Sequence, residues 1–292
     1  VESERRAPEG EAPRGGGQLP GEAPPTLHVL TYATAANAML CDCLLLALTS
    51  GVKLVVLGFG EQYLGNYQKL LGARLYVATL PPSDLVLFAD AYDVLYVGNT
   101  SQMRERFLSL HLPRRRVLFM AEKGCWPDWD MAFGRTFCRD TYPKSPTPYR
   151  YLNSGSWIGY ADAAHELLSD LEGFSPGLDD QHVVAHTFIG QPERFELDRH
   201  AVLFQSMQEE TGLVTVTEGR AAVRNVLTNT EPLVLHFNGG SKPKFASFRD
   251  ALLRGKCLPS NATIQTSAGT RSFQQICSRQ KSRLPQCGEA QR

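Results

Sequence analysis

Short, largely apolar runs separated by stretches of helical spacing constrain this chain more than any other feature. The runs are Leu27-His28-Val29-Leu30-Thr31-Tyr32, Lys53-Leu54-Val55-Val56-Leu57 before Gly58, Leu85-Val86-Leu87-Phe88-Ala89 and Val117-Leu118-Phe119-Met120-Ala121. Apolar runs of this length bounded by turn residues read as strands buried on both faces. Ala35 to Leu48 reads as a mostly apolar helix between the first two. Leu71, Leu75 and Ala78 recur at helical spacing before Pro81-Pro82 breaks the chain, and Met103 to Leu110 is a further candidate helix. Strand, helix, strand in succession predicts an α/β fold with a mostly parallel sheet flanked by helices. In such a sheet the ligand sits beyond the carboxyl ends of the strands.

Composition narrows the class. Of 292 residues 42% are apolar and 21% charged, with 30 basic side chains against 30 acidic ones. No cationic excess favours nucleic acid, and the chain has enough apolar residues for a sizeable core. The longest strongly apolar run, Cys43 to Leu48, is far shorter than the roughly 20 residues that span a bilayer. Residues 1–25 hold almost only Gly, Pro, Glu and Arg, with Val1 and Leu19 the large aliphatics, and read as a flexible leader. The segment 26–255 reads as the main domain. Gly255–Arg292, rich in Ser, Gln, Arg and Cys, reads as a loosely structured tail that Cys257, Cys277 and Cys287 could hold.

Seven cysteines, none in C-x-x-C spacing, and two sequons at Asn99-Thr100-Ser101 and Asn261-Ala262-Thr263 lean towards an oxidising secretory lumen. That compartment would be the endoplasmic reticulum or Golgi, with secretion also open. An odd cysteine count leaves at least one thiol free or paired with another chain. The chain starts at Val1 and reads as a trimmed product.

The chemistry should lie at the strand ends. Asp90-Ala91-Tyr92-Asp93 directly follows the third run. Two carboxylates three residues apart across a turn call for a cation between them, although a turn with a capping Asp is the plainer alternative. Leu233-Val234-Leu235 ends in His236-Phe237-Asn238-Gly239-Gly240-Ser241-Lys242. There an imidazole can complete the metal set, glycines let backbone amides reach phosphate oxygens, and lysine neutralises a phosphate. Cys125-Trp126-Pro127-Asp128-Trp129 suits either a sugar-stacking wall or a packing loop. Leu152-Asn153-Ser154-Gly155-Ser156 reads as a polar turn opening the strand Trp157-Ile158-Gly159-Tyr160. Asp179-Asp180-Gln181 begins a helix running through His186, where acidic residues either stabilise the helix or bind sugar hydroxyls. His182 and His186 have zinc-pair spacing without the glutamate of H-E-x-x-H and read as helix-face residues.

In order along the chain, A-T-A, L-G-x-G-E, Q-K, D-x-Y-D, A-E-x-x-C-W-P, L-N-S-G, D-D-Q and H-x-N-G-x-x-K cover residues 26 to 245. This set resembles the glycosyltransferase domain of the procollagen lysyl hydroxylases. The resemblance implies a GT-A fold, a UDP-sugar donor, Mn2+, and transfer of glucose onto galactosyl-hydroxylysine of a collagen-like acceptor. It further implies that Asp90, Asp93 and His236 ligate the metal. Lys69, Tyr92, Asn238, Gly239 and Lys242 would surround the nucleotide diphosphate, with Thr31, Thr34 and Tyr63 on the donor side. Trp126, Asn153, Asp179 and Asp180 would line the sugar and acceptor side, and the donor's α configuration would be retained. The sequence differs from the family pattern at Ala91, where relatives have Ser, and at Tyr63, where they usually have Trp. The family's longer acidic run is reduced to Asp179-Asp180. The chain stops before any hydroxylase domain, so a stand-alone or excised transferase is expected. The alternatives are a UDP-hexose transferase, such as a galactosyltransferase, acting on another protein or glycan, and a non-catalytic UDP-sugar or collagen-binding module.

Overall fold

In a computed structural model of the chain, the alternation within the apolar runs becomes the two faces of one sheet. The structure describes residues 24–127, 134–171, 179–217, 220–278 and 284–287. The expected leader up to residue 23, together with Asp128 and Trp129, lies outside them. The first half runs β1 (Leu27–Tyr32), α1 (Ala38–Thr49), β2 (Leu54–Leu57), α2 (Gln68–Val77), β3 (Leu85–Ala89), β4 (Val94–Tyr96), α3 (Thr100–Leu108) and β5 (Val117–Glu122). It continues with α4 (Gly134–Thr141), β6 (Tyr151–Tyr160), α5 (Ala161–Asp170), α6 (Asp180–Gly190), β7 (Phe195–Asp198) and β8 (Phe204–Ser206). The remainder comprises β9 (Val214–Val216), β10 (Val223–Asn225), β11 (Val234–His236), α7 (Phe245–Leu253), β12 (Thr263–Thr266), β13 (Gly269–Ser272) and α8 (Phe273–Cys277).

Among the described residues eight strands form one sheet in the order β13-β12-β2-β1-β3-β6-β5-β7. Four of its seven pairings are parallel, so the predicted mostly parallel α/β sheet is present. Period-2 alternation sends Val29, Leu54 and Leu87 into one core with α1. Leu30, Val86 and Phe88 enter the opposite core with α2, α5 and α6, where Trp157 stacks on Phe88. Helix α1 is buried from Leu40 through Ala47, as expected of a helix apolar all round. Its Asp42 is compensated by Arg249 of α7, with Nη1 2.6 Å from Oδ2. A separate three-stranded sheet, β4-β11-β8, abuts the main one beyond the end of β3.

Two expectations change. Leu152-Asn153-Ser154-Gly155-Ser156 is a buried stretch of β6, antiparallel to β3 and β5, and not a turn. Polar residues are tolerated inside it because Asn153 and Ser154 find hydrogen-bond partners across the site. The second change concerns the segment after Gly255. β12 pairs in parallel with β2 and β13 extends the sheet, so this part is ordered strand and helix and not a loose tail. Its inward large apolar residues, Leu258, Ile264, Phe273 and Ile276, are too few to produce a visible periodicity. Disulfides Cys41–Cys277 and Cys257–Cys287 supply long-range closure that so little burial could not. Cys125–Cys138 joins the loop after β5 to α4, and Cys43 is the free thiol, buried in α1.

Candidate active site

Register alone brings the predicted metal ligands together. In the β3–β6 pairing Ala89 faces Ser156, and the Asp90 amide then donates to the Gly155 carbonyl at 2.8 Å. In the β4–β11 pairing His236 faces Val94, the residue after Asp93, and the Phe237 amide donates to the Asp93 carbonyl at 2.7 Å. Both carboxylates and the imidazole consequently converge, with one ligand atom from each within 4.8 Å of the others. His236 Nε2 lies 3.2 Å from Asp93 Oδ1 and 3.6 Å from Asp90 Oδ2, while its buried Nδ1 has no partner. The glycine at 155 makes room for this trio. A Cβ there would sit 2.4 Å from His236 Cε1 and 2.7 Å from Asp90 Oδ2.

Two lysines flank the cluster from separate elements. Lys69, in the first turn of α2, places Nζ 2.7 Å from Asp90 Oδ1 and 3.0 Å from Asp180 Oδ2. Burial opposes its charge, but the Asp180 and Asp90 carboxylates outweigh that and hold the ammonium well above its ordinary range. Lys242, largely exposed, reaches to 3.4 Å from Asp93 Oδ2. Ser154 Oγ donates to Asp180 Oδ2 at 2.5 Å. Burial would raise the Asp93 carboxyl, yet His236 and Lys242 bring it below its usual value. Burial would lower His236, but Asp93 and Asp90 carry its pKa upward. Once the imidazole is neutral, three carboxylates against two lysines leave a net negative charge that favours a cation there.

Beside the cluster, Glu122 at the end of β5 gathers three amides from three different parts of the chain. Its Oε1 accepts from Asn153 at 3.0 Å and Gln181 at 2.6 Å, and its Oε2 accepts from Asn238 at 2.7 Å. Burial raises its carboxyl, an effect that the Asn153, Gln181 and Asn238 bonds oppose. Gln181 also donates to the Trp126 carbonyl at 3.0 Å, and Ser206 Oγ donates to Asn238 Oδ1 at 2.9 Å. Glu122→Gln would set an NH2 group against these donors and is expected to cost about 1–3 kcal/mol. Urea unfolding measures this, and unchanged stability would show that the amides do not depend on the carboxylate.

Other predicted residues are more scattered. Asp179 is the N-cap of α6, its Oδ1 accepting from the Gln181 and His182 amides, so it supports the helix that presents Asp180. The Tyr92 hydroxyl donates to the Ala35 carbonyl at 2.9 Å. Thr31 is fully buried in β1 with its hydroxyl unpartnered, and Thr34 accepts the Gly60 amide through its carbonyl. Tyr63 and Trp126 are solvent-exposed, with the Tyr63 hydroxyl donating to Asn66 Oδ1 at 2.6 Å. Gly239 adopts φ 54°, and a Cβ there would meet Gln208 Oε1 at 2.6 Å, the atom that accepts the Gly240 amide. His182 and His186 lie side by side on α6, with His186 stacked on Phe137. Glu122, Ser154 and Gln181 stand in the sequence motifs, but the sequence gives none of them a role of its own. A carboxylate closing a buried apolar strand on the ligand side was the available signal for the first.

The donor set of two carboxylates and one imidazole and the space kept clear at Gly155 suit a divalent ion. Residues 23–254 match the family described as PLOD GT domain. Human multifunctional procollagen lysine hydroxylase and glycosyltransferase LH3 is 28% identical over 235 residues, 75% of this chain and 30% of that protein. The Caenorhabditis elegans multifunctional procollagen lysine hydroxylase and glycosyltransferase is 30% identical over 235 residues, 75% of this chain and 31% of that protein. The Drosophila melanogaster procollagen-lysine,2-oxoglutarate 5-dioxygenase is 28% identical over 253 residues, 80% of this chain and 33% of that protein. The chain spans about a third of the length of these relatives.

Proposed function

Because this chain belongs to the PLOD glycosyltransferase-domain family, we propose that it uses Mn2+ and UDP-glucose to glucosylate galactosyl-hydroxylysine on collagen-like acceptors. The observation that carries the reading is the convergence of Asp90, Asp93 and His236 from two sheets at the ligand end of β3. These three residues would hold the metal, which when bound supplies positive charge opposite the donor diphosphate. Lys242 would neutralise the leaving phosphate, and the backbone of Asn238 and Gly239 would border it. Thr31, Thr34, Tyr63 and Tyr92 belong to the donor side of this reading.

Lys69 holds Asp90 and Asp180 in fixed relation, so the acidic residue facing the acceptor is positioned by the same group that steadies the metal ligand. Asp180 would orient the acceptor hydroxyl, supported by Ser154 and by Asp179 beneath it. The Glu122 amide platform would present Asn153 and the Trp126 wall to the sugar. In this reading the donor's α configuration would be retained through a front-face displacement without a covalent nucleophile. Residues 26–255 form the catalytic domain in this reading. Three disulfides support a secretory lumen as its location.

UDP release measured across several UDP-sugars, with and without Mn2+ and with and without a galactosyl-hydroxylysine peptide, tests donor, metal and acceptor separately. Release in no arm would leave a binding module. Metal affinity should also depend on pH. A proton on His236 blocks its ligand nitrogen, and the folded protein holds that proton to a pH above the ordinary histidine value of about 6.5. The protonated imidazole stabilises the metal-free fold below that value, and this contribution is lost as pH rises through the raised pKa. Mn2+ affinity should therefore rise from pH 6 to pH 8, by up to about tenfold per unit below the raised pKa. Calorimetric titration reads this, and equal affinity at both values would remove His236 from the ligand set.

A further inference from the structure

We propose that Asn261 is a site of N-linked glycosylation, a modification that rests on the lumenal reading above. Asn261-Ala262-Thr263 is a complete acceptor sequon. The Ala262 amide donates to the Pro259 carbonyl at 3.1 Å, forming a turn that leaves Asn261 exposed before β12. Within β12, Ile264 and Thr266 point inward while Thr263 and Gln265 face solvent, so the sequon hydroxyl lies on the open face. Neither the Asn261 amide nor the Thr263 hydroxyl is engaged by any described residue, and both are free for a transferase.

Asn99, the other sequon asparagine, is differently placed. Its Oδ1 accepts the Gln102 amide at 2.9 Å and its own amide donates to Gln102 Oε1 at 2.9 Å, closing a capping box on α3. Thr100 and Ser101 already belong to that helix, so reaching Asn99 in an extended peptide means unwinding its first turn. The chain order also favours Asn261. Leu258 is fixed by bonds with Pro285 and Cys287, and Cys257 by its disulfide to Cys287. Among the described residues that follow it, the sequon itself is tied down only by residues 272 and 273, through Ser272 opposite Thr263 and the Phe273 amide on the Ala262 carbonyl, whereas Asn99 is capped by Gln102 three residues on.

The co-reactant is a lipid-linked oligosaccharide diphosphate. The bond between sugar C1 and the phosphate oxygen breaks, C1 bonds to Asn261 Nδ2, the lipid diphosphate departs, and Nδ2 gives up one proton. Because β12 runs parallel to β2, Asn261 lies at the end of the sheet away from the strand termini that carry Asp90. Its substitution leaves the candidate active site untouched.

The full chain should be secreted from a eukaryotic host and weighed intact before and after peptide amidase digestion, with alkylation reporting its disulfides. Asn261→Gln and Thr263→Ala should each lose one glycan mass, Thr263→Ser should keep it, and Asn99→Gln should match the parent. Retention of the full glycan mass in Asn261→Gln would overturn the proposal. So would an unglycosylated parent with its three disulfides formed, a result that leaves the lumenal reading standing.

Discussion

Asp93→Ala is expected to lower metal-dependent sugar transfer by about 10³-fold or more, the scale of losing a principal charge-stabilising group. The substitution removes one of three converging ligand groups, the carboxylate nearest His236 at 3.2 Å and the partner of Lys242. The imidazole pKa should then fall, since Asp93 is the main influence raising it against burial. The local fold should survive, because Asp93 is tied to β11 through its backbone carbonyl, which alanine keeps. Steady-state kinetics with saturating donor measure the first effect, Mn2+ titration across pH the second and circular dichroism the third. Near-normal turnover with near-normal metal affinity would remove the cluster from the mechanism.

The second large effect is expected from Gly155→Ala, a single methyl group. At 2.4 Å from His236 Cε1 and 2.7 Å from Asp90 Oδ2, that methyl cannot coexist with the present arrangement. The His236 backbone is held in β11 and that of Asp90 by its amide bond to the Gly155 carbonyl, so the strain falls on their side chains, and Mn2+ affinity should drop at least tenfold. Overpacking of this kind also costs about 1–3 kcal/mol of stability. Gly240→Ala is the matched control, since its Cβ would meet only Gln208 Oε1, at an ordinary 3.6 Å. If the two variants bound Mn2+ equally well, the crowding at Gly155 would not govern the site.

Much of this was legible in the residue order because it depends on local physics. Apolar runs such as Leu85–Ala89, short and bounded by turn residues, read as buried strands, and a D-x-x-D that follows a parallel one falls at the ligand end of the sheet. The helix at Asp180 was announced by its acidic start. Polar residues inside a strand were not legible. Asn153 and Ser154 carry turn propensity, which gives way to tertiary contacts once Glu122 and Asp180 satisfy their side chains. The strand β12 was missed for the opposite reason. It is four residues long with a single aliphatic, and is held by its neighbours and two disulfides instead of by its own pattern.

By itself the sequence determined the parallel-sheet class, the strand ends at which chemistry could occur and the residue types present there, because burial and periodicity are properties of short segments. Tertiary structure alone decided that His236 faces Val94, that Lys69 joins Asp90 to Asp180, and that Asp179 caps a helix while Asp180 enters the site. Those outcomes depend on strand register and on contacts between residues far apart along the chain. A shift of one residue in register would turn each side chain to the other face of its sheet.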